Sequence, residues 1–204
     1  AAEEAFAGRR ILDMASFPLV PFCNRIRDGH AEFEGRKIRL LPNHPALASA
    51  HPLHGMGWQR PWTVEASGED RATLALSLPA GGGWPWAFSA RQEIRLADGA
   101  LQMRLSVTNQ DPSAAMPAGI GFHPYFPRRP GTRLQADCAA MWATDAEVMP
   151  TVPETGEVAN ALRAGMDLDE RALDNNFTGW RRVARIDWPE DASGPRRHLL
   201  LLMA

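Results

Sequence analysis

The sequence predicts an all-β protein built from antiparallel strands, and three observations carry that prediction. Seventeen glycines and seventeen prolines are scattered along the 204 residues, and so many chain-breaking residues leave little room for long helices. Apolar and polar residues alternate in short segments that recur roughly every ten to fifteen positions, as in strands with one buried face. Helical periodicity is confined to residues 1–12 and a turn over residues 168–173. We therefore expect a single β-sandwich domain over residues 1–204.

The clearest strand pair lies on either side of Asp98–Gly99. Apolar residues alternate over residues 88–96 and again over residues 101–107. An Asp-Gly pair between two such segments is typical of a tight hairpin turn, because the turn requires positive φ values. The same reasoning predicts a hairpin over residues 63–78 and another around Glu34–Gly35.

A last strand pair is expected near the end of the sequence. Residues 183–188 and residues 198–203 are both rich in apolar side chains, and a segment bounded by two prolines joins them. The second strand lies in an apolar run, residues 199–203, at which the sequence stops. An ordinary terminus and a shortened chain both account for such an ending.

Composition and charge exclude several classes of partner. Basic residues number 22 and acidic residues 24, so the chain lacks the basic excess of a nucleic-acid-binding surface. No apolar segment approaches the roughly 20 residues needed to cross a bilayer. No secretion signal is visible, and the two cysteines, Cys23 and Cys138, are expected to be free thiols in the cytoplasm.

Two histidines stand in unusual settings. His54 is followed by Gly55, which allows another backbone or a ligand to approach closely. His123 lies among glycines and prolines that force an irregular backbone and so fix the direction of its side chain. His51, His54 and His123 could instead hold a metal ion, but residues three apart on a strand point to opposite faces, and no acidic ligand is suitably spaced. We expect no metal site.

Tryptophans occur in two glycine-containing segments. Trp58 and Trp62 follow His54 and offer flat apolar faces on which a sugar ring can stack, although a turn followed by a strand with core tryptophans is an equally good interpretation. Residues 81–86 read Gly-Gly-Gly-Trp-Pro-Trp. They predict a flexible loop with exposed tryptophans, either at the rim of a cleft or on the plain surface.

Taken together, these segments resemble the aldose 1-epimerase, or galactose mutarotase, family. The similar segments are residues 17–26, 53–55, 121–126 and 173–177, which follow the family's order along nearly the whole chain. Each segment is short, so the resemblance depends on their order and separations. It implies a galactose mutarotase-like antiparallel β-supersandwich, here incomplete at both ends, without some N-terminal strands and without the C-terminal segment that carries the catalytic base.

The resemblance also implies a role for each matching polar side chain. His123 is the expected general acid, which protonates the ring oxygen of a sugar, and His54 is expected to lie beside that oxygen and orient the sugar. The guanidinium of Arg25 is planar and can donate to two sugar oxygens at once. The side chains expected to bind the sugar are Asn24, Arg25, Trp58 and Asp174.

The implied activity is that of an isomerase, which interconverts the α and β anomers of a hexopyranose by opening and reclosing the ring. Only protons move, so no cofactor is expected, and the expected partner is a small aldose sugar. The family's general base is a glutamate followed by proline, and no Glu-Pro pair occurs in the sequence.

Two other function classes stay open. A non-catalytic sugar-binding or sugar-sensing module on the same fold would keep Arg25 and Asp174 without proton transfer. A polysaccharide lyase or hydrolase would need a base or a pair of carboxylates along an extended cleft, and no such pair stands out. The sequence carries no clear sign of the oligomeric state, with a monomer slightly favoured.

Overall fold

The structure is a computed structural model that describes residues 11–44, 49–169, 171–190 and 194–203. The helix expected over residues 1–12 lies outside this part of the chain, except for Ile11 and Leu12, which begin a 3₁₀ turn that ends at Asp13. Among the described residues, no helix has both the length and the apolar character needed to cross a bilayer.

Strands dominate the described residues, and every strand-to-strand pairing is antiparallel, which confirms the predicted fold class. The single α-helix among them, α1, spans Glu157–Ala164. The strands are β1 (Ser16–Leu19), β2 (His30–Phe33), β3 (Arg36–Arg39), β4 (Thr63–Ser67), β5 (Arg71–Leu78), β6 (Phe88–Ala97), β7 (Ala100–Asn109), β8 (Gly121–Pro124), β9 (Arg133–Ala136), β10 (Ala140–Thr144), β11 (Pro150–Glu154), β12 (Met166–Asp167), β13 (Phe177–Thr178), β14 (Val183–Trp188) and β15 (Arg197–Leu202).

All four predicted strand pairs are confirmed. Strands β6 and β7 pair along their whole length, and Asp98 and Gly99 between them have φ values of 53° and 73°. Those positive values are the reason why an Asp-Gly pair suits this turn. Strands β2 and β3, β4 and β5, and β14 and β15 pair in the same way.

The chain forms two compact units, residues 1–125 and residues 126–204. The first unit holds a four-stranded sheet in the order β4-β5-β6-β7, the β2–β3 hairpin and the short β1–β8 pair. The second unit holds a four-stranded sheet in the order β12-β9-β14-β15, a three-stranded sheet in the order β11-β10-β13, and α1. That residues 1–204 make up a single domain stays a prediction.

The prediction of exposed tryptophans in residues 81–86 is wrong. Trp84 and Trp86 are 3% and 0% exposed and lie in the main core of the first unit. Gly81 and Trp84 exchange backbone hydrogen bonds of 2.9 and 3.0 Å, which close a tight turn. A Cβ on Gly83 would lie 1.8 Å from the carbonyl oxygen of Arg39, so the glycine allows this turn to pack against β3. Both indoles are thereby directed inward.

The sequence analysis also missed α1 in the second unit. The helix has eight residues, about two turns, so its apolar positions are too few to establish a 3.6-residue period. Ala159 and Leu162 are its buried residues, and Leu162 packs in the core of this unit. Gly165, with φ of 94°, ends the helix in the left-handed conformation that glycine favours.

Candidate active site

His123 lies at the strand pair β1–β8, directly across from Phe17. The two rings stack with their centroids 4.8 Å apart and their planes 19° from parallel. Phe17 is 2% exposed, whereas His123 is only partly buried. The ring of Tyr125, which is exposed, lies 4.8 Å from that of His123. The imidazole therefore rests on a buried aromatic ring with part of its surface open.

His54 is held in a strained loop that packs against the end of β1. Its φ value is 64°, and that of Gly55 is 72°. A Cβ on Gly55 would lie 2.1 Å from the carbonyl oxygen of Val20, so only glycine fits this close approach. The rings of His54 and His123 lie 5.0 Å apart, nearly perpendicular to each other. The structure thus brings together the two histidines that the sequence singled out.

A backbone carbonyl sets the hydrogen-bonding state of His54. Its Nδ1 lies 2.7 Å from the carbonyl oxygen of Cys23. A carbonyl can only accept, so we assign the proton of the neutral ring to Nδ1. Nε2 then carries a lone pair and can accept a hydrogen bond from a ligand.

The surroundings of His54 favour this neutral ring. Burial lowers its pKa from the ordinary value, and the charges of His123, Arg25 and His44 lower it further. The hydrogen bond to Cys23 works in the opposite direction. The pKa of His44 is also lowered, by burial first and then by the charge of Arg25. At neutral pH the rings of His54 and His44 are therefore uncharged, and they lie beside the charged guanidinium of Arg25.

Arg25 and Asn24 lie beside the His54 loop. Arg25 forms a β-bridge with Leu53, the residue before His54, and its side chain is partly buried. The backbone N–H of His54 donates to the carbonyl oxygen of Asn24 at 3.3 Å. Four of the predicted site residues thus belong to the first unit and lie near one another: Asn24, Arg25, His54 and His123.

Trp58 is buried and packs against the rings of Phe17 and His54. Its side chain is 2% exposed, and its indole N–H donates to the carbonyl oxygen of Gly55 at 3.2 Å. The ring lies 5.4 Å from that of Phe17 and 5.9 Å from that of His54. In this conformation Trp58 packs under the histidines, and the predicted stacking of a sugar on its face would require the ring to become uncovered.

Asp174 belongs to the second unit. It is exposed and lines a cavity of about 500 Å³, together with Arg128, Arg171 and Asn175. The walls of this cavity include apolar side chains of β9, α1 and β12. A contact between Asp174 and a sugar held by the first unit stays a prediction.

His51 belongs to the core rather than to the site. It is 1% exposed, and its Nδ1 accepts a hydrogen bond of 3.0 Å from the backbone N–H of Asp28. In the part of the chain that the structure describes, no three His, Cys, Asp or Glu residues are placed to hold a metal ion.

Two residues near the site escaped the sequence analysis. The ring of His44 lies 6.1 Å from that of Trp58. The side chain of Asn43 makes hydrogen bonds of 2.8 and 3.0 Å to the carbonyl oxygens of Leu53 and Gly55. Their segment has no glycine pattern or repeated spacing, so the sequence offered no signal beyond the presence of a histidine.

Known proteins match this sequence along most of the chain. A family model described as aldose 1-epimerase matches residues 2–198. The uncharacterized protein YphB of Escherichia coli K12 is 33% identical over 185 residues, which are 88% of this chain and 60% of that protein.

Solved structures share the fold. A crystal structure of an Escherichia coli K12 protein provisionally assigned as an aldose 1-epimerase superposes with a TM-score of 0.79 at 32% identity, over 88% of this chain and 60% of the other. A galactose mutarotase-like protein from Clostridium acetobutylicum gives a TM-score of 0.67 at 19% identity, over 97% and 60% of the two chains. The chain thus has the predicted galactose mutarotase-like fold and spans about 60% of the length of these relatives.

Proposed function

The chain belongs to the aldose 1-epimerase family, and on that premise we propose that it binds a hexopyranose and interconverts its α and β anomers. The observation that supports this most directly is the pair of imidazoles, His54 and His123, 5.0 Å apart beside Arg25. One ring of such a pair can donate a proton to the ring oxygen of a sugar, which ring opening requires, while the other accepts a hydrogen bond and so orients the sugar.

In the proposed reaction, His123 gives a proton to the ring oxygen while a general base takes the proton of the C1 hydroxyl. The bond between C1 and the ring oxygen breaks, and C1 becomes an aldehyde. Rotation about the C1–C2 bond presents the other face of the aldehyde, and the proton transfers reverse as the ring closes. The proposal assigns the proton donor and no proton acceptor, because the glutamate expected from the resemblance has no counterpart in the sequence.

His54 has an orienting role in this proposal. With the proton on Nδ1, Nε2 accepts a hydrogen bond from a sugar hydroxyl beside the ring oxygen. Arg25 donates to sugar oxygens with its planar guanidinium, and Asn24 lies next to it. Asp174 is proposed to accept hydrogen bonds from hydroxyl groups of the same sugar, on the strength of the resemblance alone.

The experiment follows the optical rotation of freshly dissolved α-glucose and α-galactose. We expect the protein to accelerate equilibration, and His123→Ala to lower the rate by roughly 10²–10⁴-fold, the usual contribution of a positioned acid. His30→Ala, which changes an exposed histidine on β2, is the matched control and should keep the wild-type rate. A His123→Ala variant as fast as the wild type would exclude His123 as the acid.

Sugar binding without catalysis is a second candidate, because Asn24, Arg25 and His54 lie together and could hold a sugar without any proton transfer. The two candidates differ in a simple measurement. Calorimetric binding of the sugar together with an uncatalysed rate of anomer equilibration would favour the binding module over the epimerase.

A further inference from the structure

We propose that Asn43 is a positioning residue for His54: its carboxamide fixes the backbone on both sides of the histidine. This inference rests on the proposed function only in so far as His54 contacts the sugar. Asn43 itself does not touch a reacting atom in the proposal and acts through the loop.

The carboxamide of Asn43 pairs with the loop as a neighbouring strand would. Its Nδ2 donates to the carbonyl oxygen of Leu53 at 2.8 Å and to that of Gly55 at 3.0 Å. Its Oδ1 accepts from the backbone N–H of Leu53, also at 2.8 Å. A residue in a strand pairs with its neighbour through one N–H and one carbonyl oxygen; the carboxamide of Asn43 offers Leu53 both groups and has a second N–H for Gly55, so a single side chain replaces a strand neighbour here.

The opposite edge of the loop is paired with backbone. The N–H of Ile26 donates to the carbonyl oxygen of Pro52 at 3.0 Å, and the N–H of His54 donates to that of Asn24 at 3.3 Å. Residues 52–55 therefore alternate their hydrogen bonds between residues 24–26 on one edge and Asn43 on the other. Removal of the carboxamide would take these partners from the N–H and the carbonyl oxygen of Leu53, whereas Gly55 would keep the indole N–H of Trp58.

This pairing bears on the conformation of His54 itself. Its φ value of 64° is unfavourable for a residue with a Cβ, and it persists only while the neighbouring residues are held in place. The same conformation directs Nδ1 to the carbonyl oxygen of Cys23. Without Asn43, His54 is free to return to negative φ, and its ring would leave that carbonyl.

Asn43 also connects the two sides of the loop. Its own carbonyl oxygen accepts a hydrogen bond from the side chain of Gln59, in the 3₁₀ turn Gly57–Gln59 that follows the loop. The indole N–H of Trp58 donates to the carbonyl oxygen of Gly55, which also accepts from the side chain of Asn43. Asn43 thus contacts both the loop that carries His54 and the 3₁₀ turn that follows it.

The test is nitrogen NMR of the histidine rings in the wild-type protein and in Asn43→Ala and Asn43→Asp. The aspartate keeps the shape and the acceptor but lacks the two donors. Asn109→Ala is the matched control, because Asn109 also bonds to backbone, at 2.7 Å to Ala114 and 2.9 Å from Asp111, in the same unit.

We expect His54 of the wild type to show a proton on Nδ1 and a pKa below the ordinary value, set by burial and by the charges of His123, Arg25 and His44. In both Asn43 variants the proton should redistribute to Nε2, because Nδ1 no longer faces the carbonyl oxygen of Cys23. Asn109→Ala should leave the His54 signals unchanged. Unchanged His54 signals in a folded Asn43 variant would overturn the proposal, as would unfolding of both variants, which would make Asn43 a residue of the fold.

Turnover gives a second readout. Where the wild type equilibrates anomers, the Asn43 variants should lose on the order of 10- to 100-fold in kcat, with a smaller change in KM, because the sugar is still bound but is wrongly oriented. A protein without any anomerase activity whose His54 signals respond to Asn43 substitution would retain the positioning role and refute the proposed function. The two claims can therefore fail separately.

Discussion

The imidazoles of His54 and His123 lie 5.0 Å apart, and their surroundings differ. His54 is tied to the carbonyl oxygen of Cys23, and its pKa is lowered by burial and by nearby cations. His123 stacks on Phe17 and keeps part of its surface open. Both histidines could be singled out from the sequence because glycine and proline residues stand beside them there. It could not show Asn43, whose effect depends on side-chain contacts ten residues along the chain.

The lowered pKa values of His54 and His44 predict that the stability of the fold depends on pH. Between the folded pKa and the ordinary value of about 6.5, the unfolded chain binds protons that His54 and His44 in the folded protein do not. Their contribution to stability is therefore complete above about pH 6.5 and is lost as the pH falls below it. We expect the free energy of unfolding, measured with urea, to decrease from pH 7.5 to pH 5.5, and to decrease less in His54→Gln. An equal or larger decrease in the variant would contradict this assignment.

At the scale of elements, hairpins were predictable and irregular segments were not. The β6–β7 hairpin carries its own turn signal in Asp98–Gly99, so residues adjacent in sequence determine it. Trp84 and Trp86 are buried by a turn that packs against β3, about forty residues earlier in the chain, and α1 is too short for a periodic pattern. The loop that carries His54 is another irregular segment that could not be predicted, since its shape depends on contact with Val20.

The close approach of Gly55 to Val20 leads to a prediction with a matched control. Gly55 and Gly35 have similar φ values, 72° and 76°, but a Cβ would meet Val20 in the first case and nothing within 4 Å in the second. Gly35→Ala should therefore cost only the conformational strain, roughly 1–2 kcal/mol. Gly55→Ala should cost clearly more and should also reduce sugar binding, because the loop must move. Urea denaturation of both variants measures the difference, and equal losses of stability would show that the approach is unimportant.

At the scale of the whole molecule, the order of motifs along the chain identified the family and the fold. The all-β antiparallel class followed from strand periodicity, and the family model matches residues 2–198. The arrangement within the first unit groups Asn24, Arg25, His54 and His123, whereas Asp174 lies in the second unit. The division into two compact units had no counterpart in composition, because no linker-like segment separates them.

The central claim is that a sugar binds against His54 and His123. Its most direct test is to follow the ring nitrogen signals of all six histidines while glucose or galactose is added. We predict that the signals of His54 and His123 shift together and saturate, while those of His30 and His198, exposed on β2 and β15, stay in place. Unmoved His54 and His123 signals at high sugar concentration, or shifts confined to the other histidines, would contradict the claim.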